Sequence, residues 1–278
     1  MTRGNLCQRL WGAIHLLSVD TVLGVGIGYY FVCWTLGVPY SILWSSVLMA
    51  STWLVYTLDR LLDARSILGQ TITARYCYHY QYRFQLIAVM VGFCVLLVMM
   101  TMYVPVYIEL VLGVGLLAIH FLCLRYRWYG MFKEVSVAII YTLAIWLGPI
   151  KLLENSYDYE VLVVMHGGIV YLNLIMSSIM DLAEDCANQQ WSVTRIIGVD
   201  FSMYLFWLVG SGGLIMAGIG IWMYTHLLTV FITFLLMIIS HFIVLMIYCY
   251  FTRYSSNSLK PIGELIFFIP IWILVRHV

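Results

Sequence analysis

Two pairs of aspartates carry the first chemical signal in the sequence. Asp59 and Asp63 stand in D-R-L-L-D, and Asp181 and Asp185 stand in D-L-A-E-D. On a helix the i, i+4 spacing puts both carboxylates of a pair on one face, about 6 Å apart along the axis. Carboxylates held that close repel unless a cation sits between them. One or two carboxylates per ion, completed by phosphate oxygens, is how Mg²⁺ is usually held. Either pair alone reads more readily as an ordinary solvated helix end. Each member of the first pair, however, precedes its counterpart by 122 residues, which suggests two parallel repeats carrying equivalent sites. The basic residues in the neighbouring loops supply what a phosphate group needs.

The elements that must position these pairs follow from composition. Of 278 residues, 63% are apolar and 10% charged, with a net charge of +1. A soluble domain carries about 25% charged residues. The deficit excludes a water-soluble globule and a disordered chain, and the near-zero net charge excludes a nucleic-acid binder. The expected class is an all-α integral membrane protein in the lipid bilayer. Seven scattered cysteines, none in a C-x-x-C pair, read as small buried hydrophobes rather than as a zinc or redox framework. Arg3 and Arg9 before an apolar stretch mimic a signal peptide, but no A-x-A-like site follows, so this stretch is read as the first span.

The charges divide the chain. Asp20 is the only charge between Arg9 and Asp59, and Gly37-Val38-Pro39 splits that region into two spans. Further uncharged runs cover 84–108, 110–124, 135–150 and 161–180. The 52 residues 201–252 hold no charge and make two spans, turning near Met223-Tyr224-Thr225-His226. A last span occupies 261–277. The expectation is nine transmembrane helices in one domain over 1–278: two four-helix halves, 9–130 and 131–252, plus a ninth helix, around a central cavity. With the N-terminus in the cytoplasm, 12 of the 14 Lys and Arg fall on the cytoplasmic side, leaving Lys151 and Arg276 opposite. Both Asp pairs then share the cytoplasmic side, and the C-terminus lies outside a bacterial inner (plasma) membrane.

With these residues in place, the chain resembles the UbiA-type intramembrane prenyltransferases. The resemblance rests on the two Asp motifs four spans apart, Lys133-Glu134 opening the fifth span, Gly148-Pro149 ending it, Asn173 before the second motif, and Ser192-Val193-Thr194 with Gly198 after it. It implies a prenyl diphosphate bound through Mg²⁺, with the prenyl group transferred to a lipid-soluble, aromatic or other hydrophobic acceptor. Carried over residue by residue, Asp59, Asp63, Asp181 and Asp185 are metal ligands, with Glu184 as an auxiliary. Arg65 and Lys133 bind the diphosphate and stabilise it as it leaves, joined by Arg127, Arg195 and Asn173. The family's first motif commonly reads N-D-x-x-D-x-x-x-D. Here Val55 and Tyr56 stand at the Asn and Asp positions, which implies a reduced ligand set. A non-catalytic binding or transport protein of the same fold is the alternative.

Other features are read as structural. Gly24, Gly26 and Gly28, and likewise Gly210, Gly212 and Gly213, mark close helix packing rather than a nucleotide turn, for which no strand precedes them. Asp20 is expected about three turns inside the first span, where an acid is costly and either faces the cavity or is hydrogen-bonded.

Overall fold

A computed structural model describes residues 14–272, apart from 15, 67–73, 102–106, 124–125, 154–158, 189 and 251–259. Among the described residues every regular element is helical and there is no strand. The helices are α1 (Val19–Leu36), α2 (Ile42–Ser66), α3 (Ala74–Gln81), α4 (Arg83–Thr101), α5 (Tyr107–Cys123), α6 (Lys133–Ile150), α7 (Glu160–Ala187), α8 (Val193–Ile197), α9 (Val199–Met223), α10 (Leu228–Tyr250) and α11 (Lys260–Leu265). Six of them are long and apolar enough to cross a membrane: α1, α4, α6, α7, α9 and α10, the last with its preceding 3₁₀ turn. The protein is an all-α membrane protein.

The helix ends follow local chemistry. Gly37 takes a left-handed φ of 65°. Its N–H donates to the Trp34 carbonyl at 3.2 Å, and the Val38 N–H donates to the Cys33 carbonyl at 3.0 Å, the paired bonds of a glycine-terminated helix. Pro39 then prevents continuation, and the Ser41 hydroxyl accepts the Trp44 N–H at 3.2 Å to start α2. Gly198, with φ 86°, likewise separates α8 from α9. Asp20 sits in the first turn of α1, not three turns inside a span, and accepts the N–H of Thr21 at 2.9 Å. Ser18 just before it has a φ of 55°, so the backbone bends there and the acid meets the positive end of the helix. The described part of the last expected span is also irregular, with α11 followed by a 3₁₀ turn at Ile266–Phe268.

The chain divides into two compact units, Met1–Gly26 with Ser41–Tyr107, and Ile27–Tyr40 with Ile108–Val278. In the first, α2 packs on α3 and α4, with Trp53 and Phe93 rings 5.0 Å apart and Gly26 admitting the Met49 sulfur. In the second, α7 is central and packs against α6, α9 and α10. Its core holds Trp146, Phe206, Phe231 and Phe234, all fully buried. Gly210 and Gly220 leave no room for a Cβ against the rings of Phe242 and Phe231. Small residues let helices approach where lipid offers no hydrophobic drive to do so. The Trp146 indole donates to His166 Nδ1 at 2.8 Å, satisfying two polar groups in an apolar interior.

Candidate functional site

In the first unit, α2 continues unbroken through D-R-L-L-D to Ser66. Asp59 and Asp63 therefore lie one turn apart on one face, both half-buried. Arg60 lies between them, about 100° around the helix. It is buried, and its Nη1 donates to the Leu16 carbonyl at 2.6 Å, tying the end of α2 to the chain before α1. Val55, one turn before Asp59, places an apolar side chain next on the aspartate face. The Arg65 backbone belongs to the same helix, but its side chain lies outside the described residues.

The second motif is built differently. D-L-A-E-D occupies the last two turns of α7, with Asp181 and Glu184 half-buried and Asp185 buried. The chain then folds back against this helix end. The Gln190 N–H donates to the Asp185 carbonyl at 2.9 Å. Arg195 Nη1 donates to the Gln190 carbonyl at 2.6 Å, and its guanidinium stacks on Trp191 at 4.3 Å. The Ser178 hydroxyl donates to Thr194 Oγ1 at 2.9 Å and accepts the Thr194 N–H at 3.2 Å. Gly130 fits against Trp191, where a Cβ would come within 3.0 Å.

Glu134 joins this region from 59 residues away in sequence: its Oε1 accepts the Val193 N–H at 3.0 Å. The side chain is 6% exposed, and its second oxygen is buried with no hydrogen-bond partner among the described residues. Lys133 precedes it at the start of α6, half-buried, and interacts electrostatically with both Glu134 and Asp185. Behind Lys133, His120 Nδ1 lies 2.9 Å from both Tyr129 Oη and Ser136 Oγ, and Ser136 donates to the Lys133 carbonyl at 2.8 Å. That network fixes the backbone at the opening of α6.

Lys133, Glu134, Asp181, Glu184, Asp185 and Arg195 thus gather around one end of α7. Asn173 is on the same helix, about 12 Å farther along the axis from Asp181. It is buried beside Gly263, with its Oδ1 unpaired among the described residues. The Arg127 backbone lies in the 3₁₀ turn Arg127–Met131, and its side chain lies outside the described residues. Glu134 and the Ser178–Thr194 pair are partners that sequence reading did not assign to the site. A carboxylate opening a span reads as a favourable helix N-terminus, so nothing in the pattern marked Glu134 as an inward-facing acid.

Among the described side chains, four carboxylates face two cations here, an imbalance that buried surroundings tolerate poorly. A divalent cation offsets it directly. Among the described residues no three His, Cys, Asp or Glu side chains converge closely enough to hold a metal by themselves. Mg²⁺ bound mainly by phosphate and water needs only one or two carboxylates, a number that Asp181 and Asp185, one turn apart on α7, supply.

No family model, no curated protein and no solved structure matches this chain.

Proposed function

We propose that the protein is a Mg²⁺-dependent prenyltransferase of UbiA type, moving a prenyl group from a prenyl diphosphate to a lipid-soluble acceptor within the membrane. The observation that carries this reading is that both D-x-x-x-D motifs lie in the last two turns of long membrane-protein helices, each pair on one helical face. Departure of the diphosphate leaves an allylic cation, so catalysis consists chiefly of stabilising negative charge as it leaves. Mg²⁺ on the aspartates supplies most of that stabilisation when bound. Lys133 and Arg65 neutralise the remainder, with Arg195, Arg127 and Asn173 helping to orient the diphosphate. The proposed topology adds α2, α5 and the C-terminal segment to the six long apolar helices, giving nine spans with an internal N-terminus.

Purified protein should consume prenyl diphosphate in Mg²⁺ and stop when EDTA is added. Equal consumption under both conditions refutes the metal-dependent reading. Val55 and Tyr56, standing where a fuller motif has Asn and Asp, favour one alternative: a membrane protein that binds the diphosphate without turning it over. Tight Mg²⁺-dependent binding without consumption would establish that alternative. For topology, single cysteines at Gly69 and Asn188 should be labelled from the cytoplasm. Labelling of Asn155 from that same side contradicts nine spans.

A further inference from the structure

The first unit contains a groove of about 610 Å³ between the last turns of α2 and the first half of α4, with α3 contributing one wall. Leu58, Leu61 and Leu62 line it from α2, and Ile87, Met90 and Val91 from α4. It is open to the surroundings, since Leu62 is 50%, Ile87 48% and Val91 58% exposed. On α4 the lining positions form one helical stripe, continuing to Cys94 and headed by Arg83 four residues before Ile87.

Arg83 is the first residue of a stretch, Arg83–Met100, long and apolar enough to cross a membrane. Its guanidinium therefore stands where the apolar layer begins. Cys94, eleven residues on, is about 16 Å deeper, near the middle of a hydrocarbon layer about 30 Å thick. The guanidinium is held in place by the Tyr80 ring at 4.5 Å, the Phe84 ring at 4.7 Å and the Tyr80 carbonyl, which accepts from Nη1 at 3.1 Å. That bond occupies one of its five N–H donors, and among the described residues no carboxylate pairs with it. A pre-oriented cation at the interface above an apolar channel opening to the bilayer matches an amphiphile with an anionic head.

We infer that this groove binds an anionic phospholipid, one acyl chain lying between α2 and α4 and the headgroup phosphate resting on Arg83. The site is separate from the proposed transfer chemistry and does not depend on it. Asp59 and Asp63 follow Leu58 and Leu62 by one residue, about 100° around the same two turns of α2. A bound acyl chain therefore braces the helix end that carries the first aspartate pair.

The test is native mass spectrometry of the full-length protein released from nanodiscs containing equal phosphatidylglycerol and phosphatidylcholine of matched chains. Phosphatidylglycerol should be retained in preference by about fivefold, the scale of one basic side chain at an anionic interface. Arg83→Gln should abolish the preference. Cys94→Trp, at an exposed lining position, should fill the groove and remove bound lipid of both kinds while Arg83 remains. Equal retention of the two lipids by the unaltered protein overturns the proposal, as does full retention in Cys94→Trp, so the outcome does not hang on whether Arg83→Gln folds. Displacement of phosphatidylglycerol by millimolar inorganic phosphate would identify a free-anion site instead. Displacement by equimolar prenyl diphosphate would give the groove to that ligand. Either result overturns the lipid assignment.

Discussion

The two aspartate pairs have the same spacing and the same place in their helices, yet their surroundings differ. Asp59 and Asp63 are both half-buried, and Arg60 between them bonds to the Leu16 carbonyl. Asp185 is buried, and the start of α6 and the segment 190–198 are fastened around it through Glu134, Ser178 and Arg195. The same spacing thus leaves both acids on a rim in one unit and draws one acid, Asp185, into the interior in the other. A site held by hydrogen bonds from several elements keeps its geometry without a ligand. A half-exposed pair depends more on what binds to it.

Four experiments break or sharpen that contrast. The largest effect is expected from the cations. Lys133→Met and Arg65→Met should each lower prenyl diphosphate turnover by roughly 10²-fold or more, the scale of a lost electrostatic stabiliser. If Arg65→Met is silent while Lys133→Met is not, Arg65 takes no part in the chemistry. Next, Asp63→Asn and Asp181→Asn should each weaken Mg²⁺-dependent binding by a similar factor, and the double variant should lose far less than the product of the two. Residues acting through shared ions are non-additive; full additivity in the binding isotherms would separate the two pairs into independent helix ends.

Smaller effects concern stability. Glu134→Ala leaves the buried Val193 N–H without its acceptor and should cost about 1–3 kcal/mol, whereas Glu134→Gln keeps an acceptor oxygen and should cost less. Thermal unfolding in detergent reads the difference, and equal losses in the two variants would mean that the hydrogen bond contributes nothing. The smallest change is expected at the rim. Asp59→Asn should shift stability by no more than about 0.5 kcal/mol in the absence of metal, as for most surface positions. A loss as large as that of Glu134→Ala would erase the distinction between rim and interior.

Much of the helical framework was legible beforehand. The break at Gly37–Pro39, the turn at Tyr224 and the opening of a helix at Lys133 all appear as the residue types require. So does the helical continuity of both motifs, because neither contains a residue that stops a helix. Asp20 shows where reading by charge alone misleads. An acid within an apolar run suggests membrane depth, but a backbone bend at Ser18 makes it a helix start. Arg60 is similar: counted as a loop cation for topology, it is a buried donor to a distant carbonyl.

The class of protein, most of the long helices and the pairing of carboxylates one turn apart could be read from the sequence. These depend on composition and on near neighbours along the chain, where charge deficit, glycine conformation and the 3.6-residue period act directly. Which polar groups face inward depends instead on how the helices pack. In a chain of mean hydropathy +0.96, lipid-facing and core-facing surfaces are both apolar, so hydrophobicity does not separate them. Trp146 is 1% exposed and Trp222 is 82% exposed, and no local pattern distinguishes the two. Burial of Asp185 and the bond from Val193 to Glu134 arise where α6, α7 and α8 meet, from partners as much as 59 residues apart. Such a meeting is fixed by packing of whole helices, and no periodicity within one helix encodes it.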